Sequence, residues 1–298
     1  MKILVTGATG LVGSALVPFL AAGGHEVVRL GRTAPGAGDI RWDPDAGALD
    51  TAGLEGFDGV VHLAGENIAS GRWTEARKHR IKESRVKGTS LLAATLAGLE
   101  RPPRVLVSAS AIGYYGDRGD EELTEASPSG SGFLSEVCRE WEAATDAAEG
   151  KGIRVAHARL GVVLGKDGGA LAKMLTPFRL GAGGVIGNGR QYMSWITLED
   201  TVAAIGHLLS TESAAGPVNV VALAPVTNGE FTRTLGRVLR RPTLFPMPGF
   251  AARLAFGEMA DALLLASTRV KPAGLLDSGY AFRHGSLEEG LRHVLGAR

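Results

Sequence analysis

Short apolar runs alternate with longer amphipathic segments through the first half of the chain. Five runs are rich in Val, Ile and Leu without polar alternation, at 2–5, 26–30, 59–63, 104–108 and 154–159. Such runs are typical of parallel strands that are covered on both faces. Segments with helical spacing lie between them, at 11–22, 73–99 and 133–149. The alternation predicts an α/β fold of the Rossmann type, a doubly wound parallel sheet.

The pattern changes after about Gly165. A glycine-rich segment at 181–189 precedes Trp195, and Leu198-Glu199-Asp200 has the acidic first turn of a helix. Short helices punctuated by proline follow. We therefore predict a Rossmann core over 1–165, completed by part of 190–225. Residues 166–298 are predicted to form mainly a smaller C-terminal substrate lobe and small domain, whose strands the pattern does not define.

Composition narrows the function classes. The 298 residues include 32 basic and 31 acidic side chains, so the net charge of +1 disfavours nucleic acid and anionic lipid as partners. A single cysteine, Cys138, excludes an internal disulfide framework and favours a reducing compartment. The seven histidines show no ligand spacing, so no metal site is expected. No apolar run reaches membrane-spanning length. We expect a cytoplasmic protein without a membrane or nucleic-acid partner.

The segment 6–13, Thr-Gly-Ala-Thr-Gly-Leu-Val-Gly, follows the first predicted strand and opens the first predicted helix. Its three glycines permit a tight turn, close approach of a diphosphate to backbone N–H groups, and close packing of helix on strand. The segment predicts a dinucleotide site, and the alternative is a tight turn without a ligand. The candidate contacts here are Thr6, Gly7, Thr9, Gly10, Leu11, Val12 and Gly13.

The end of the second predicted strand indicates which dinucleotide binds. An NAD site usually has an acid there to hold the ribose 2′-hydroxyl, whereas this chain has Arg32 and no acid in reach. A guanidinium suits a 2′-phosphate, so NADP is the predicted cofactor. The alternative for Arg32 is a solvated surface arginine.

The third predicted strand ends in His62-Leu63-Ala64-Gly65. The small residues after it let the adenosine half of the cofactor cross the sheet edge, which makes Leu63, Ala64 and Gly65 candidate contacts. His62 lies in an apolar run and is interpreted as a core histidine.

These motifs resemble the extended short-chain dehydrogenase/reductase superfamily of nucleotide-sugar epimerases and dehydratases. More narrowly, the chain is similar to the uncharacterised "epimerase family" branch, named as sugar-nucleotide epimerases. The likeness covers nearly the whole chain, including a C-terminal small domain around 269–272. The segments that carry it are 6–13, 62–68, Trp73, 84–86, 108–116, 159–165, 189–196 and 228–231.

The resemblance implies hydride transfer at C4 of the nicotinamide, with a tyrosine acid/base, a lysine four residues later that lowers its pKa, and a serine on the substrate oxygen. Ser110 matches the serine. Phe133 and Val137 stand where the tyrosine and lysine are expected, and Arg85 stands where the superfamily often has asparagine. The same resemblance makes Arg85, Ser108 and Arg159 candidate cofactor contacts, and a structural ion pair is the alternative for Arg159.

Two hypotheses follow from the missing pair. In the first, Tyr114 or Tyr115 replaces the acid, and Arg85 or Lys82 supplies the charge that lowers its pKa; the alternative for the tyrosines is packing under the loop. The protein is then an NADP-dependent oxidoreductase or epimerase for a sugar-like or nucleotide-linked alcohol or carbonyl. In the second, it is a catalytically silent NADP-binding regulatory or sensor module. A third, an interaction protein that keeps only the fold, is disfavoured by the retained glycines and Arg32.

Further polar residues predict where a small-molecule substrate binds. Extended relatives line the substrate cleft with the equivalent of the 190s segment. By analogy with the superfamily, which often forms homodimers through the helices after the third and fourth strands, a homodimer is a further expectation. Arg190 suits a phosphate or carboxylate, Gln191 a sugar or amide, and Trp195 a stacking face, against the alternatives of a solvated loop or core packing. The candidate substrate residues are Glu66, Asn67, Arg190, Gln191 and Trp195.

Overall fold

The structure is a computed structural model that describes residues 1–33, 36 and 38–297. The strands in these residues are β1 (Lys2–Thr6), β2 (Glu26–Gly31), β3 (Ile40–Asp43), β4 (Ala48–Leu49), β5 (Gly59–His62), β6 (Val105–Ala111), β7 (Glu122–Leu123), β8 (Arg154–Leu160), β9 (Val162–Leu164), β10 (Tyr192–Met193), β11 (Trp195–Thr197), β12 (Gly216–Val220), β13 (Val226–Thr227) and β14 (Arg269–Val270). The α-helices are α1 (Leu11–Ala22), α2 (Glu75–Ala97), α3 (Phe133–Ala143), α4 (Asp146–Gly150), α5 (Gly169–Arg179), α6 (Leu198–Ser210), α7 (Asn228–Leu239), α8 (Gly249–Phe256), α9 (Glu258–Ala260), α10 (Ala273–Asp277) and α11 (Leu287–Leu295). Short 3₁₀ turns span Ala52–Leu54 and Ile112–Tyr115, and a π-helical turn spans Asp261–Leu265.

The central sheet has eight strands in the order β12-β8-β6-β5-β1-β2-β3-β4. All neighbours pair in parallel except β3 and β4, which are antiparallel. The five predicted strands are β1, β2, β5, β6 and β8. Their carboxyl ends meet at one edge of the sheet, where open α/β folds bind ligands. The predicted fold class is confirmed.

Helices cover both faces of the sheet, because the strands are apolar on both. On one face α1 packs against α6, and Leu16 and Ile205 are fully buried there. On the other face α2 packs against α3 and α4, and Leu92 and Leu96 are fully buried. Apolar residues at helical spacing on α1 and α2 thus bury one stripe each against the sheet.

Some element boundaries differ from the prediction. Residues 133–149 form two helices, α3 and α4, because the first turns at Ala144 and Thr145 before the second begins. The long segment 73–99 is one helix, which begins after Thr74, whose hydroxyl caps the N–H of Arg77. Strands β3 and β4 were not predicted, since neither is long enough to produce a periodic signal.

The second half of the chain supplies both a strand of the central sheet and a separate apolar core. β12 returns to the sheet and pairs with β8. The separate core packs α5, α7 and α11 around Trp195 and Phe231. Three two-stranded pairs, β9 with β11, β10 with β13 and β7 with β14, join this part to the loops after β6 and β8. Within the described residues no helix combines the length and the apolar character that crossing a bilayer requires.

Candidate functional site

The loop between β1 and α1 is shaped by glycines that have no room for a side chain. Gly7 has φ +65°, and a Cβ there would lie 2.6 Å from the carbonyl carbon of Leu63. A Cβ on Gly13 would lie 2.2 Å from the carbonyl oxygen of Gly7. The N-cap of α1 is Gly10, which offers no side-chain cap, so the first N–H groups of the helix face the loop. This backbone cradle fits the diphosphate of a dinucleotide.

Thr6 ties the cradle to the end of β5. Its Oγ1 accepts hydrogen bonds from the N–H groups of Leu63, at 3.1 Å, and Ala64, at 3.2 Å. Both lone pairs are then used, so the hydroxyl donates to Nδ1 of His62, at 2.7 Å. The neutral imidazole consequently carries its proton on Nε2 and donates to Thr89 at 2.9 Å. The structure therefore places Thr6, Leu63 and Ala64 in one hydrogen-bonded unit.

The His62 imidazole is a core group. It is fully buried, and burial lowers its pKa to about 4. Its neutral form is what the hydrogen bonds require, because Nδ1 accepts while Nε2 donates. The Thr89 hydroxyl also accepts from Nε1 of Trp141 at 2.9 Å, which continues this polar chain into α3. The interpretation of His62 as a core histidine agrees with this placement.

Arg85 and Arg32 are the two arginines predicted to contact the cofactor where it crosses the sheet edge. Arg85 lies against Gly65, where a Cβ would be 3.3 Å from the guanidinium carbon. The same guanidinium carbon lies 5.0 Å from the centre of the Trp141 ring. Burial lowers the pKa of Arg85. Arg32 is exposed directly after β2. Lys82, the other cation considered for the tyrosines, instead pairs with Glu136 and Glu140 on α3.

A buried charged network occupies the carboxyl ends of β6 and β8. Arg159 makes a two-pronged contact with Glu142 of α3, at 2.8 Å from Nε to Oε1 and 2.8 Å from Nη2 to Oε2. Ser110 donates to the same Glu142 oxygen, Oε1, at 2.6 Å. The arginine side chain is 3% exposed and the glutamate 12%, so each charge depends on the other. The charge and hydrogen bonds of Glu142 raise the pKa of Arg159, although burial alone would lower it.

The two tyrosines differ in access. Tyr115 is fully buried; its hydroxyl accepts from Nη1 of Arg159 at 2.9 Å and donates to Oδ1 of Asn219 at 2.7 Å. Burial raises the pKa of Tyr115. Tyr114 is only partly buried, and the guanidinium carbon of Arg159 lies 3.5 Å from the centre of its ring. Of the pair, Tyr114 is the one whose hydroxyl has no protein hydrogen-bond partner among the described residues.

Apolar packing replaces the missing pair at the start of α3. The Phe133 ring meets Trp73 edge-on at 5.1 Å, and Val137 is 2% exposed. Met259 of α9 and Ile81 of α2 join the cluster of Phe133 and Trp73. Phe133, at the position of the tyrosine, therefore packs α3 against α2 and α9, and Val137, at the position of the lysine, is buried on α3.

Ser108 is a buried hydroxyl without a hydrogen-bond partner among the described residues. It lies on β6, in register with His62 of β5 and His157 of β8. The expected contact of Ser108 with a cofactor has no protein competitor in the described part of the chain.

The loop after β5 is fixed from both sides. Glu66 lies 3.6 Å from Arg77 and 3.6 Å from Arg80, and Asn67 Oδ1 accepts from the N–H of Ala69 at 2.8 Å. From the second half of the chain, Lys173 of α5 donates to the carbonyl of Ala69 at 2.6 Å. The predicted substrate residues Glu66 and Asn67 thus lie where the two halves of the chain meet.

The 190s segment is used differently from the prediction. Trp195 is 1% exposed, and its Nε1 donates to the carbonyl of Ala224 at 3.0 Å, so its faces lie inside the second core. Gln191 donates from Nε2 to the carbonyls of Ile186, at 3.0 Å, and Leu264, at 2.9 Å. Only Arg190 is exposed. The stacking face and free amide predicted here are thus occupied by packing and internal hydrogen bonds.

Glu142 and Asn219, which complete the network around Arg159, were not predicted from the sequence. One signal for them was present: an arginine inside an apolar strand requires a buried acid. Ser110, Tyr114, Tyr115 and Arg159, all singled out from the sequence, are brought together by the structure.

Two family models match the chain. Residues 3–222 match the model of the NAD dependent epimerase/dehydratase family, and residues 247–294 match a domain of unknown function, DUF1731. The second match covers the segment around 269–272 that resembles the C-terminal small domain of these proteins.

Relatives match over nearly the whole chain. An epimerase family protein of Mycobacterium bovis is 43% identical over 293 residues, which are 98% of this chain and 97% of the relative. The crystal structure of the human epimerase family protein SDR39U1 (isoform 2) with NADPH is 37% identical, with a TM-score of 0.91 and 99% of each chain covered. A nucleoside-diphosphate sugar epimerase from Corynebacterium glutamicum is 39% identical, with a TM-score of 0.83, and covers 99% of this chain and 58% of its own.

Proposed function

Because this chain belongs to the NAD dependent epimerase/dehydratase family within the short-chain dehydrogenase/reductase superfamily, as its motifs predicted, we propose that it binds NADPH and transfers hydride. The proposed substrate is a sugar-like or nucleotide-linked alcohol or carbonyl. The glycine cradle between β1 and α1 is the observation that carries the proposal, since no side chain fits at Gly7 or Gly13. The NADPH bound by human SDR39U1 supports the cofactor, and the name of the Corynebacterium relative supports the substrate class.

Each part of the site has a role in this proposal. The N–H groups of the cradle hold the diphosphate, and the exposed Arg32 binds the 2′-phosphate through charge-assisted hydrogen bonds. Leu63, Ala64 and Gly65 give the backbone over which the dinucleotide crosses the sheet edge, and Arg85 lies beside it. The cofactor supplies a hydride from the nicotinamide.

The reacting end is assigned to the network around Arg159. Tyr114 is the proposed proton donor or acceptor. Unlike the Tyr115 hydroxyl, the Tyr114 hydroxyl forms no hydrogen bond with another of the described residues. Arg159 fixes the ring from one face, and Glu142 fixes Arg159. Ser110 keeps lone pairs for a substrate hydroxyl while its own hydrogen points to Glu142.

A silent NADPH-binding module is the second candidate. The observation that favours it is that Ser110 and Tyr115 spend their donor hydrogens on Glu142 and Asn219. In this case the Glu142 network only stabilises the carboxyl ends of the strands, and NADPH binds without transferring its hydride.

Calorimetric titration with NADPH and NADH tests the cofactor. We expect NADPH to bind at least tenfold more tightly, about 1.4 kcal/mol, and Arg32→Ala to remove that difference while NADH affinity stays unchanged. Arg41→Ala, an exposed arginine on the neighbouring strand β3, is the matched control and should change neither affinity. Absence of binding by both nucleotides would sink the proposal.

Substitution of each tyrosine separates the two candidates. With a carbonyl substrate that oxidises NADPH, Tyr114→Phe should lower turnover by about a hundredfold, with NADPH affinity unchanged. Tyr115→Phe should leave turnover near wild type and lower the melting temperature. If an NADPH-saturated protein reduces no carbonyl of the proposed class, the silent module is the better account.

A further inference from the structure

Three ligating side chains from distant parts of the chain meet at the start of α6. Glu199 is the second residue of that helix, His284 precedes α11, and His293 lies in the last turn of α11. Their ligating atoms all lie within 4.8 Å of one another. We propose that Glu199, His284 and His293 bind one divalent transition-metal ion of the Zn²⁺ class.

The geometry converges on one carboxylate oxygen. Oε2 of Glu199 lies 3.3 Å from Nε2 of His284 and 2.7 Å from Nε2 of His293. The two imidazole rings lie side by side, with centres 4.4 Å apart and planes tilted by 38°. Both imidazoles thus aim the same nitrogen at the same point.

Small adjustments fit a metal to this arrangement. Zn²⁺ binds imidazole nitrogen and carboxylate oxygen at about 2.0–2.2 Å, so tetrahedral ligand atoms lie about 3.3 Å apart. The His284 pair already has that separation, and the His293 pair must open by about 0.6 Å. The His293 side chain is 51% exposed and therefore has room to move. Two nitrogens and one oxygen leave a fourth position for water, a set that suits Zn²⁺.

The remaining carboxylate oxygen is oriented by an arginine. Nη1 of Arg283 lies 2.5 Å from Oε1 of Glu199, which leaves Oε2 for the imidazoles. The adjacent Asp200 accepts from the N–H of Arg283 at 2.9 Å and from the Tyr280 hydroxyl at 3.0 Å. These hydrogen bonds fix the backbone next to Glu199 and thus the position of its carboxylate.

A metal here would connect α6 with the C-terminal segment. Gly290 of α11 packs on Trp195, so α11 closes the second core. A bound ion would hold that helix to the start of α6 and would raise the melting temperature by mass action.

The test uses untagged full-length protein and Zn²⁺ as the probe. Calorimetry should give one Zn²⁺ per chain, and saturating Zn²⁺ should raise the melting temperature by about 5 °C. His293→Gln and His284→Gln should each weaken Zn²⁺ binding by at least about a hundredfold and abolish the temperature rise. Co²⁺ titration should show the visible absorption of a four-coordinate site in wild type only.

Two controls make the outcome decisive. His79→Gln, an exposed histidine on α2, should bind Zn²⁺ as wild type does. The metal-free melting temperature of His293→Gln should match that of wild type, which shows that the exposed side chain is not needed for folding. Stoichiometric binding that survives both His284→Gln and His293→Gln, or no binding at micromolar Zn²⁺, would overturn the proposal.

Discussion

The dinucleotide cradle and the Glu142 network lie along the same edge of the sheet, yet they are constructed from different parts of the chain. The cradle is local backbone, since Gly7 in the loop and Gly13 in the first turn of α1 approach each other, and Gly7 also approaches the residues after β5. The network is made of side chains from β6, β8, β12, α3 and the 3₁₀ turn after β6, with Arg159 at its centre. Steric exclusion determines the first and charge pairing the second.

The difference teaches which features tolerate change. In the proposed function the backbone cradle binds the diphosphate, a group that NAD and NADP share, and a side chain at Gly7 or Gly13 would collide with backbone atoms. A side-chain network can be rebuilt, and here Glu142 pairs with Arg159 while Phe133 packs on Trp73 and Val137 is buried where the usual pair would be.

Removing the counterion of the buried arginine should have the largest effect. Glu142→Gln leaves the Arg159 guanidinium buried beside a neutral amide, so we expect the free energy of unfolding to fall by about 4 kcal/mol. Urea denaturation measures it. Glu140→Gln, on the same helix but paired with Lys82 in an exposed contact, is the control and should change stability far less. Equal losses in both variants would contradict the assignment of a buried pair.

A methyl group in the cradle should have the next largest effect. Gly13→Ala places a Cβ against the Gly7 carbonyl, so we expect NADPH affinity to fall at least a hundredfold, about 2.7 kcal/mol. Gly150→Ala is the matched control, because a Cβ there meets no atom within 4 Å. Calorimetry decides, and affinity within threefold of wild type in Gly13→Ala would show that the cradle does not hold the diphosphate.

Acidification should act on the polar chain beneath the cradle. The pKa of His62 is about 4 when folded and about 6.5 when unfolded, so the unfolded state takes up the proton first as pH falls. The stability contributed by neutral His62 is therefore complete above pH 6.5 and is lost progressively towards pH 4. Between pH 6.5 and 5 this loss is about 1.5 kcal/mol.

The His62 contribution is isolated by difference. Burial also lowers the pKa of His157 and His207, so the wild-type slope contains all three. In the His62→Gln variant, the free energy of unfolding should depend less steeply on pH, because the contribution of His62 is absent. If that variant does not fold, NMR of the wild-type imidazole should show His62 neutral at pH 5, and a protonated ring at that pH would contradict the prediction.

Local patterns made the fold and the cradle predictable. The runs that became β1, β2, β5, β6 and β8 are apolar on both faces, and the glycine spacing is contained in eight consecutive residues. Strands β3 and β4 were not predicted, since four and two residues give no period.

Long-range partners were not predictable from the same signals. Glu142 is one of several acids on α3, and only its contact with Arg159 distinguishes it from Glu136 and Glu140, which pair with Lys82. Trp195 was predicted to offer a stacking face, but whether an aromatic ring lies in a cleft or in a core depends on segments far away, here α11. The cluster of His284 and His293 with Glu199 was not predicted for the same reason, because Glu199 lies on another helix far away in the sequence.

The position of β12 has a consequence for synthesis of the chain. It pairs with β8, but more than fifty residues follow β8 before β12 begins. At ordinary elongation rates the outer edge of β8 waits on the order of several seconds for its neighbour to be translated. An unpaired strand edge is where another chain can add. Until β12 has been translated, the edge of β8 is therefore open to pairing with another chain.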